Sequence, residues 1–199
     1  GDVHLILKDK CKLQAQNGIE VNSDGASLTI YAQSTDENTM GSLVAIGQES
    51  GDSGIGGDID SFQGAITING GNINATGAFG CAGIGGISQI GDEDGPSTGT
   101  VTINGGIVTA TGGEYAPGIG IGGDNYSRIF IEIHGGTIQA TGGMNGGAGI
   151  GSRENGAKAY FDITITGGDV TASGMNGGAG IGGGMNNNNG KITITGGTV

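Results

Sequence analysis

The sequence is poor in several residue types, and each shortage excludes a class of protein. It has no tryptophan, two prolines and two cysteines in 199 residues, and aromatic side chains make up 4% of it. Cys11 and Cys81 are too few for a disulfide framework, so we expect both thiols to be free. The apolar runs are only a few residues long, far below the roughly 20 residues that cross a bilayer. We therefore expect neither a disulfide-stapled domain nor membrane insertion.

Positive charge is scarce as well. Seven Lys and Arg residues stand against 19 Asp and Glu residues, which gives a formal net charge of −12, and no basic residue occurs between Lys12 and Arg128. A surface of this sign repels nucleic acid, anionic lipid and acidic polysaccharides. The chain is therefore expected to bind no nucleic acid, while cations and neutral partners remain open.

Glycine, in contrast, is abundant and periodic. The 49 glycines would indicate disorder if they followed no period, but Gly-Gly pairs recur inside similar segments. The pairs occupy positions 70/71, 105/106, 135/136, 167/168 and 196/197, as in AITINGGNINAT (65–76) and TVTINGGIVTAT (100–111). A second glycine phrase follows each of the first four, as in CAGIGG (81–86) and GAGIGS (147–152). Each repeat thus contains three short segments separated by turns.

The first two segments of each repeat alternate apolar and polar residues. Ile66 and Ile68 flank Thr67, and Val101 and Ile103 flank Thr102, which is the period-two pattern of a strand with one buried face. An isolated repeat cannot bury that face or pair its edges, but stacking on a neighbour about 4.8 Å away does both. The third segment places Ala and Ile at fixed offsets, with glycine at the corners where a Cβ would clash.

These patterns predict an all-β, three-sided parallel β-helix of about six and a half coils. Handedness follows from the strong right-handed preference of parallel crossovers. We expect one domain over 1–199, with diverged coils in 1–63 and regular repeats in 64–199. A stack of antiparallel hairpins turning at each Gly-Gly is the main alternative, and a flexible glycine-rich linker is a weaker one. Because solenoid ends normally carry caps and neither end of this sequence has one, we expect a fragment of a longer protein with flanking domains.

The motifs resemble a known kind of repeat. VHLILKDKCKLQAQNGIEV (3–21), the repeated ITINGG with a following TATGG, and GGAGIGGG resemble a glycine-rich repeat domain of large secreted or surface-anchored proteins of anaerobic bacteria. The coil plan is similar, more loosely, to pectin-lyase-like right-handed β-helices, which include polysaccharide lyases, galacturonan hydrolases and non-catalytic carbohydrate binders. The resemblance implies a secreted or cell-surface location and contact with a glycan or another host or cell-surface ligand. It transfers no catalytic residue, because the chain has no lyase or hydrolase motif.

The favoured function is therefore a non-catalytic module for adhesion, carbohydrate binding or rigid spacing. Aromatic side chains are the candidates for stacking on a neutral sugar, and packing at corners or in the core is the alternative role for each. These candidates are Tyr115, Tyr126, Phe130 and Tyr160.

An enzyme is the alternative function. A glycoside hydrolase needs two carboxyl groups flanking the scissile bond, and Glu132 and Asp162 are expected on neighbouring coils with His134 close by. Ordinary solvated surface charge is the favoured interpretation of both carboxylates, because each lies in a column otherwise filled by threonine or small residues. A lyase is less favoured, because it needs a basic residue to take the proton and the basic residues are scattered toward the two ends.

Two further patterns run along the predicted solenoid. A hydroxyl column of Thr76, Thr111, Thr141 and Ser173 raises ice binding as a minor alternative, although threonine is common on any strand. Asn69, Asn104 and His134 precede successive Gly-Gly pairs, and we interpret them as a side-chain ladder at a corner.

Acidic residues are expected to line one edge of the solenoid. Stacked carboxylates repel one another unless they are bridged, and Ca²⁺ takes six to eight oxygen ligands with little demand on geometry. A solvated acidic edge that keeps the solenoid unpaired is the alternative. No cofactor is required by this interpretation, and the candidate Ca²⁺ ligands are Asp58, Asp60, Asp92, Asp94 and Asp124.

Overall fold

A computed structural model gives the fold of most of the chain. It describes residues 1–21, 25–57, 64–86, 98–122, 127–155, 159–187 and 189–199. Within these residues the regular elements are short β-strands, which follow one another in the repeating order sheet 1, sheet 2, sheet 3. One strand from each sheet makes one coil of the solenoid.

Successive strands belong to sheets 1, 2 and 3 in turn. Sheet 1 contains β1 (Asp2–Leu7), β4 (Ser27–Ala32), β7 (Ala65–Ile68), β10 (Thr98–Ile103), β13 (Arg128–Ile133), β16 (Tyr160–Ile165) and β19 (Gly190–Ile194). Sheet 2 contains β2 (Lys12–Ala15), β5 (Ser42–Ile46), β8 (Asn72–Thr76), β11 (Ile107–Thr111), β14 (Thr137–Thr141) and β17 (Asp169–Ser173). Sheet 3 contains β3 (Ile19–Glu20), β6 (Ile55–Gly56), β9 (Ile84–Gly86), β12 (Ile119–Ile121), β15 (Ile150–Ser152) and β18 (Ile181–Gly182).

Each strand pairs with the equivalent strand of the next coil, and these pairings are parallel. In sheet 1, Val101 is in register with Ile66 on one side and with Ile131 on the other. In sheet 2, Thr111 is in register with Thr76 and Thr141. The predicted three-sided, right-handed parallel β-helix is confirmed, and the antiparallel hairpin stack is wrong.

The core is a set of isoleucine columns that run along the solenoid axis. Ile66, Ile103 and Ile131 have no exposed surface, and Ile84 and Ile119 bring the third sheet into the same cluster. Alternation in each strand therefore sends every second side chain into one continuous core. The alanines of the glycine phrase behave differently, because Ala82 and Ala148 are fully buried but lie outside that cluster.

Glycine is needed where neighbouring coils touch through their backbones. Gly120 in sheet 3 has φ +147, and a Cβ there would overlap the carbonyl oxygen of Gly151 in the next coil. The second glycine of each Gly-Gly pair has a left-handed φ too, as at Gly106 (φ +95). These positions favour glycine because an L side chain rarely adopts such a φ.

Two further expectations concern cysteine and the membrane. Cys11 is partly exposed and Cys81 is buried, and they form no disulfide. Across the described ranges, no segment forms a helix with the length and hydrophobicity of a membrane span.

Candidate functional site

An aromatic cluster lies at the corner that leads from sheet 2 to sheet 3. Phe79 of the third coil and Tyr115 of the fourth coil meet edge to face, with ring centroids 5.6 Å apart and an interplanar angle of 74°. Phe79 is 56% exposed, and Met144 of the fifth coil, next along the same corner, is 64% exposed. The third and fifth coils thus present large apolar side chains to solvent at this corner, with the partly buried Tyr115 of the fourth coil between them.

Polar groups flank these side chains. The Asn145 side-chain amide donates a hydrogen bond of 2.6 Å to the Glu114 carboxylate, and the backbone N–H of Tyr115 donates to the carbonyl of Met144 at 2.8 Å. These five residues, Phe79, Glu114, Tyr115, Met144 and Asn145, are called the aromatic corner below.

The backbone of Tyr115 is strained. Its φ is +71, and the equivalent turn positions in the neighbouring coils carry Gly80 (φ +79), Asn145 (φ +72) and Asn176 (φ +43). Glycine and asparagine tolerate this region, whereas a bulky side chain there is an outlier. Strain of this kind collects at functional sites, so the tyrosine at this turn points to a role for its ring.

Phe130 and Tyr160 lie elsewhere, on the outer face of sheet 1. The Arg128 guanidinium carbon lies 4.5 Å from the Tyr160 ring centroid and 5.2 Å from that of Phe130. Arg128 and Tyr160 are in register on neighbouring strands. A cation–π cluster therefore already occupies ring surface that a sugar would need.

The predicted aromatic candidates are accordingly not gathered into one site. Tyr115 belongs to the aromatic corner, Phe130 and Tyr160 to sheet 1, and Tyr126 falls outside the described residues. Sequence reasoning missed Phe79. The aligned repeats contain the signal that would have found it. Phe79 occupies the position of Glu114 and Met144, so stacking of the coils places it beside Tyr115.

The two candidate hydrolase carboxylates are offset on the outer face of sheet 1. Glu132 is in register with Thr164, and Asp162 is in register with Phe130, so the carboxylates lie diagonally on adjacent strands. Glu132 Oε2 is 3.6 Å from His134 Nε2, and the Glu132 side chain is 51% exposed. Water therefore reaches this carboxylate freely.

Two predicted columns are present. Asn104 Nδ2 donates to Asn69 Oδ1 at 2.8 Å, and His134 Nδ1 lies 2.8 Å from Thr166 Oγ1, so this ladder bonds side chain to side chain more than side chain to backbone. The hydroxyl column is also in register across sheet 2, but the adjacent outward column mixes residues. That adjacent column contains Val44, Asn74, Thr109, Gln139 and Thr171.

All five candidate Ca²⁺ ligands lie outside the described residues, namely Asp58, Asp60, Asp92, Asp94 and Asp124. Within the described part of the chain, no group of three or more His, Cys, Asp or Glu side chains is placed to hold a metal ion. The calcium hypothesis therefore remains a prediction from the sequence.

Comparisons with known proteins bear on the repeat. A family model described as a beta helix repeat matches residues 66–88, 101–125, 131–156 and 163–185. Each match begins on a strand of sheet 1 and extends past the sheet 3 strand of the same coil. No curated protein and no solved structure matches the chain significantly. The resemblance to glycine-rich bacterial surface domains stays a prediction. The repeat matches and the parallel solenoid together show that the chain is a β-helix repeat domain of the pectin-lyase-like architecture.

Proposed function

We propose that this domain is a non-catalytic module of a secreted or cell-surface protein, and that it binds a neutral glycan through the aromatic corner. The carrying observation is the exposed Phe79 ring packed against the strained Tyr115. A second contribution of the fold is mechanical. The second to fifth coils each pair with both neighbours along three sheets, so the solenoid also acts as a rigid spacer between flanking domains.

The chemistry of the corner suits a sugar. A pyranose presents C–H groups on its face and hydroxyl groups at its edge, and ligand sites commonly combine aromatic surface with a few placed polar groups. Phe79 and Met144 supply the apolar surface, while the Glu114 carboxylate and the Asn145 amide lie beside it. Because Glu114 is acidic and the chain has a net charge of −12, we favour a neutral glycan over an acidic one.

A glycan array with the purified domain tests this proposal. We expect selective binding to neutral glycans, weakened about tenfold by Phe79→Ala, a factor equivalent to 1.4 kcal/mol. Tyr115→Asn is the companion variant, because asparagine already occupies this turn position at Asn145 and Asn176. Phe130→Ala is the control on the other aromatic surface and should leave binding unchanged.

Either of two outcomes would overturn the assignment. Absence of binding to every neutral glycan would leave only the spacer role. A loss of binding in Phe130→Ala with full binding in Phe79→Ala would move the site to the outer face of sheet 1.

A glycoside hydrolase is less well supported. Such an enzyme flanks the scissile bond with two carboxyl groups, whereas Glu132 and Asp162 lie diagonally on the outer face of sheet 1 and the Glu132 side chain is half exposed. We therefore expect no turnover on a panel of polysaccharides. Release of reducing ends by the domain, abolished by Glu132→Gln, would establish catalysis instead.

A further inference from the structure

The corner between sheet 1 and sheet 2 changes abruptly along the solenoid. In later coils it consists of one polar residue followed by Gly-Gly, as in 69–71 and 104–106. In the second coil, residues 33–41 connect β4 to β5 instead. We call this longer connection the corner insertion. It lies beside the Gly-Gly corners of the third and fourth coils.

The corner insertion is fixed by hydrogen bonds to the first coil and within itself. The Lys10 N–H donates to the Thr39 carbonyl at 2.7 Å, and the Ser34 hydroxyl donates to Asp9 Oδ1 at 2.7 Å. The Met40 N–H donates to the Asp36 carbonyl at 2.7 Å. The insertion is therefore held in a defined position at the start of the Gly-Gly corners.

A groove of about 320 Å³ lies between the corner insertion and the Gly-Gly corners. Glu37 and Met40 line it from the insertion, and Asn69, Asn104 and residues 105–106 line it from the third and fourth coils. The volume is at the lower end of the range for small-molecule sites, roughly 300–1,000 Å³. Its lining runs from the corner insertion in the second coil to residues of the fifth coil, so the corner insertion forms one end of the groove.

The groove presents polar groups with unused hydrogen-bonding capacity. Asn104 Nδ2 donates to Asn69 Oδ1, which leaves the side-chain amide hydrogens of Asn69 and the side-chain oxygen of Asn104 available to a ligand. The backbone N–H groups of Gly105 and Gly106 form no hydrogen bond with any residue in the described ranges. These groups belong to two adjacent coils whose backbones are already ordered. Binding a ligand to them therefore costs little conformational entropy.

The composition of the groove selects the ligand chemistry. No Lys or Arg belongs to its described lining, and Glu37 adds a negative charge, so an anion is disfavoured. Met40 and Ile107 add apolar surface beside the amides. This mixture of amide, hydroxyl, carboxylate and apolar groups matches the hydroxyl groups and C–H faces of a neutral sugar.

We propose that the groove binds the terminal sugar of a neutral saccharide chain, with the corner insertion blocking further extension of the chain. This inference rests on the proposed glycan binding and adds a second site on a different corner of the solenoid. Asn69, Asn104 and the amides of Gly105 and Gly106 bond the sugar hydroxyls, and Met40 contacts its apolar face.

The test is a titration of the ¹⁵N-labelled domain with neutral methyl glycosides, which imitate a terminal sugar, followed by NMR. We expect one glycoside to give saturable shifts at the backbone amides of Gly105 and Gly106 and at the Asn104 side chain. Asn104→Ala should weaken this binding about fivefold, the loss of roughly one neutral hydrogen bond. Thr166→Ala is the matched control, because it changes the same corner position two coils away, outside the groove.

The outcomes separate this inference from the proposed function. Shifts at Tyr115 and Asn145 without shifts at Gly105 and Gly106 would overturn the groove and keep the aromatic corner. Shifts in the groove alone would keep the groove and overturn the aromatic corner. No shifts with any glycoside would overturn both sites. If the groove binds only the end of a saccharide chain, attaching a further, different sugar to the bound sugar should abolish the NMR shifts of the groove residues. Equal binding of the capped chain would contradict it.

Discussion

Two adjacent glycines should differ in their sensitivity to the same substitution. Gly105 and Gly106 form one Gly-Gly pair, and only Gly106 has a left-handed φ, +95. A Cβ on Gly106 would lie 2.7 Å from the carbonyl oxygen of Gly71 and 3.0 Å from the carbonyl carbon of Gly70. For a Cβ on Gly105 the nearest atom would be the carbonyl oxygen of Asn69, at 3.3 Å. We therefore compare Gly105→Ala with Gly106→Ala.

The magnitudes follow from these contacts. The left-handed φ costs an alanine about 1–2 kcal/mol, and forcing a methyl group against backbone costs about 1–3 kcal/mol more. We expect Gly106→Ala to lower the free energy of unfolding by about 2–5 kcal/mol. In Gly105→Ala the restriction of the unfolded chain contributes about 0.4–1 kcal/mol of stability, which offsets the tight contact. Its change should stay within about 1 kcal/mol of zero.

Thermal unfolding followed by circular dichroism measures the difference. For a chain of this size, 1 kcal/mol corresponds to about 2–4 °C in Tm, so Gly106→Ala should lower Tm by about 4–20 °C, whereas Gly105→Ala should change it by no more than about 4 °C. Hydrogen exchange should rise at the Ile107 N–H, which donates to the Gly71 carbonyl between the third and fourth coils. Equal Tm values for the two variants would refute the reasoning from φ and backbone contact.

Four further outcomes are expected. Tyr115→Asn should change the free energy of unfolding by less than about 1 kcal/mol, because relief of the left-handed strain offsets the lost pair with Phe79; a large loss in urea denaturation would contradict this. Ile103→Ala should cost about 2–5 kcal/mol and Ile103→Val about 0.5–1.5 kcal/mol, since Ile103 is fully buried; similar urea midpoints for the two would speak against the packed core. The backbone N–H and side-chain amide of Asn38 lower the pKa of Asp36. Asp36 therefore stabilises the corner insertion at pH values above its ordinary pKa, and this stabilisation is lost as the pH falls through the lowered pKa. NMR shifts of the Asn38 amide should follow this titration, and an unchanged Asn38 signal down to low pH would disprove it. Calcium added to metal-stripped protein should release heat and raise Tm if the acidic edge binds it; no heat and no Tm shift at millimolar Ca²⁺, the weak end of extracellular sites, would remove the metal hypothesis.

The sequence by itself determined the architecture, because the pattern that encodes it is local and repeated. Period-two alternation around Thr67 and Thr102 predicted strands with one buried face, and the spacing of the Gly-Gly pairs predicted their stacking. A parallel solenoid has one dominant register, since a slip of one residue would turn every isoleucine outward. The buried columns through Ile66 and Ile131 follow directly from that constraint.

Only the tertiary structure decided which side chains meet, because those contacts join different coils. Phe79 and Tyr115 are far apart in the chain and become an aromatic pair through the stacking of two turns. Arg128 covers Tyr160 for the same reason. The groove depends on the three-dimensional path of residues 33–41 over Gly-Gly corners contributed by later coils. Repetition fixes the backbone of each coil from its own residues, whereas a site arises where the repeat is broken, and the position of a broken repeat against its neighbours is visible only in the folded chain.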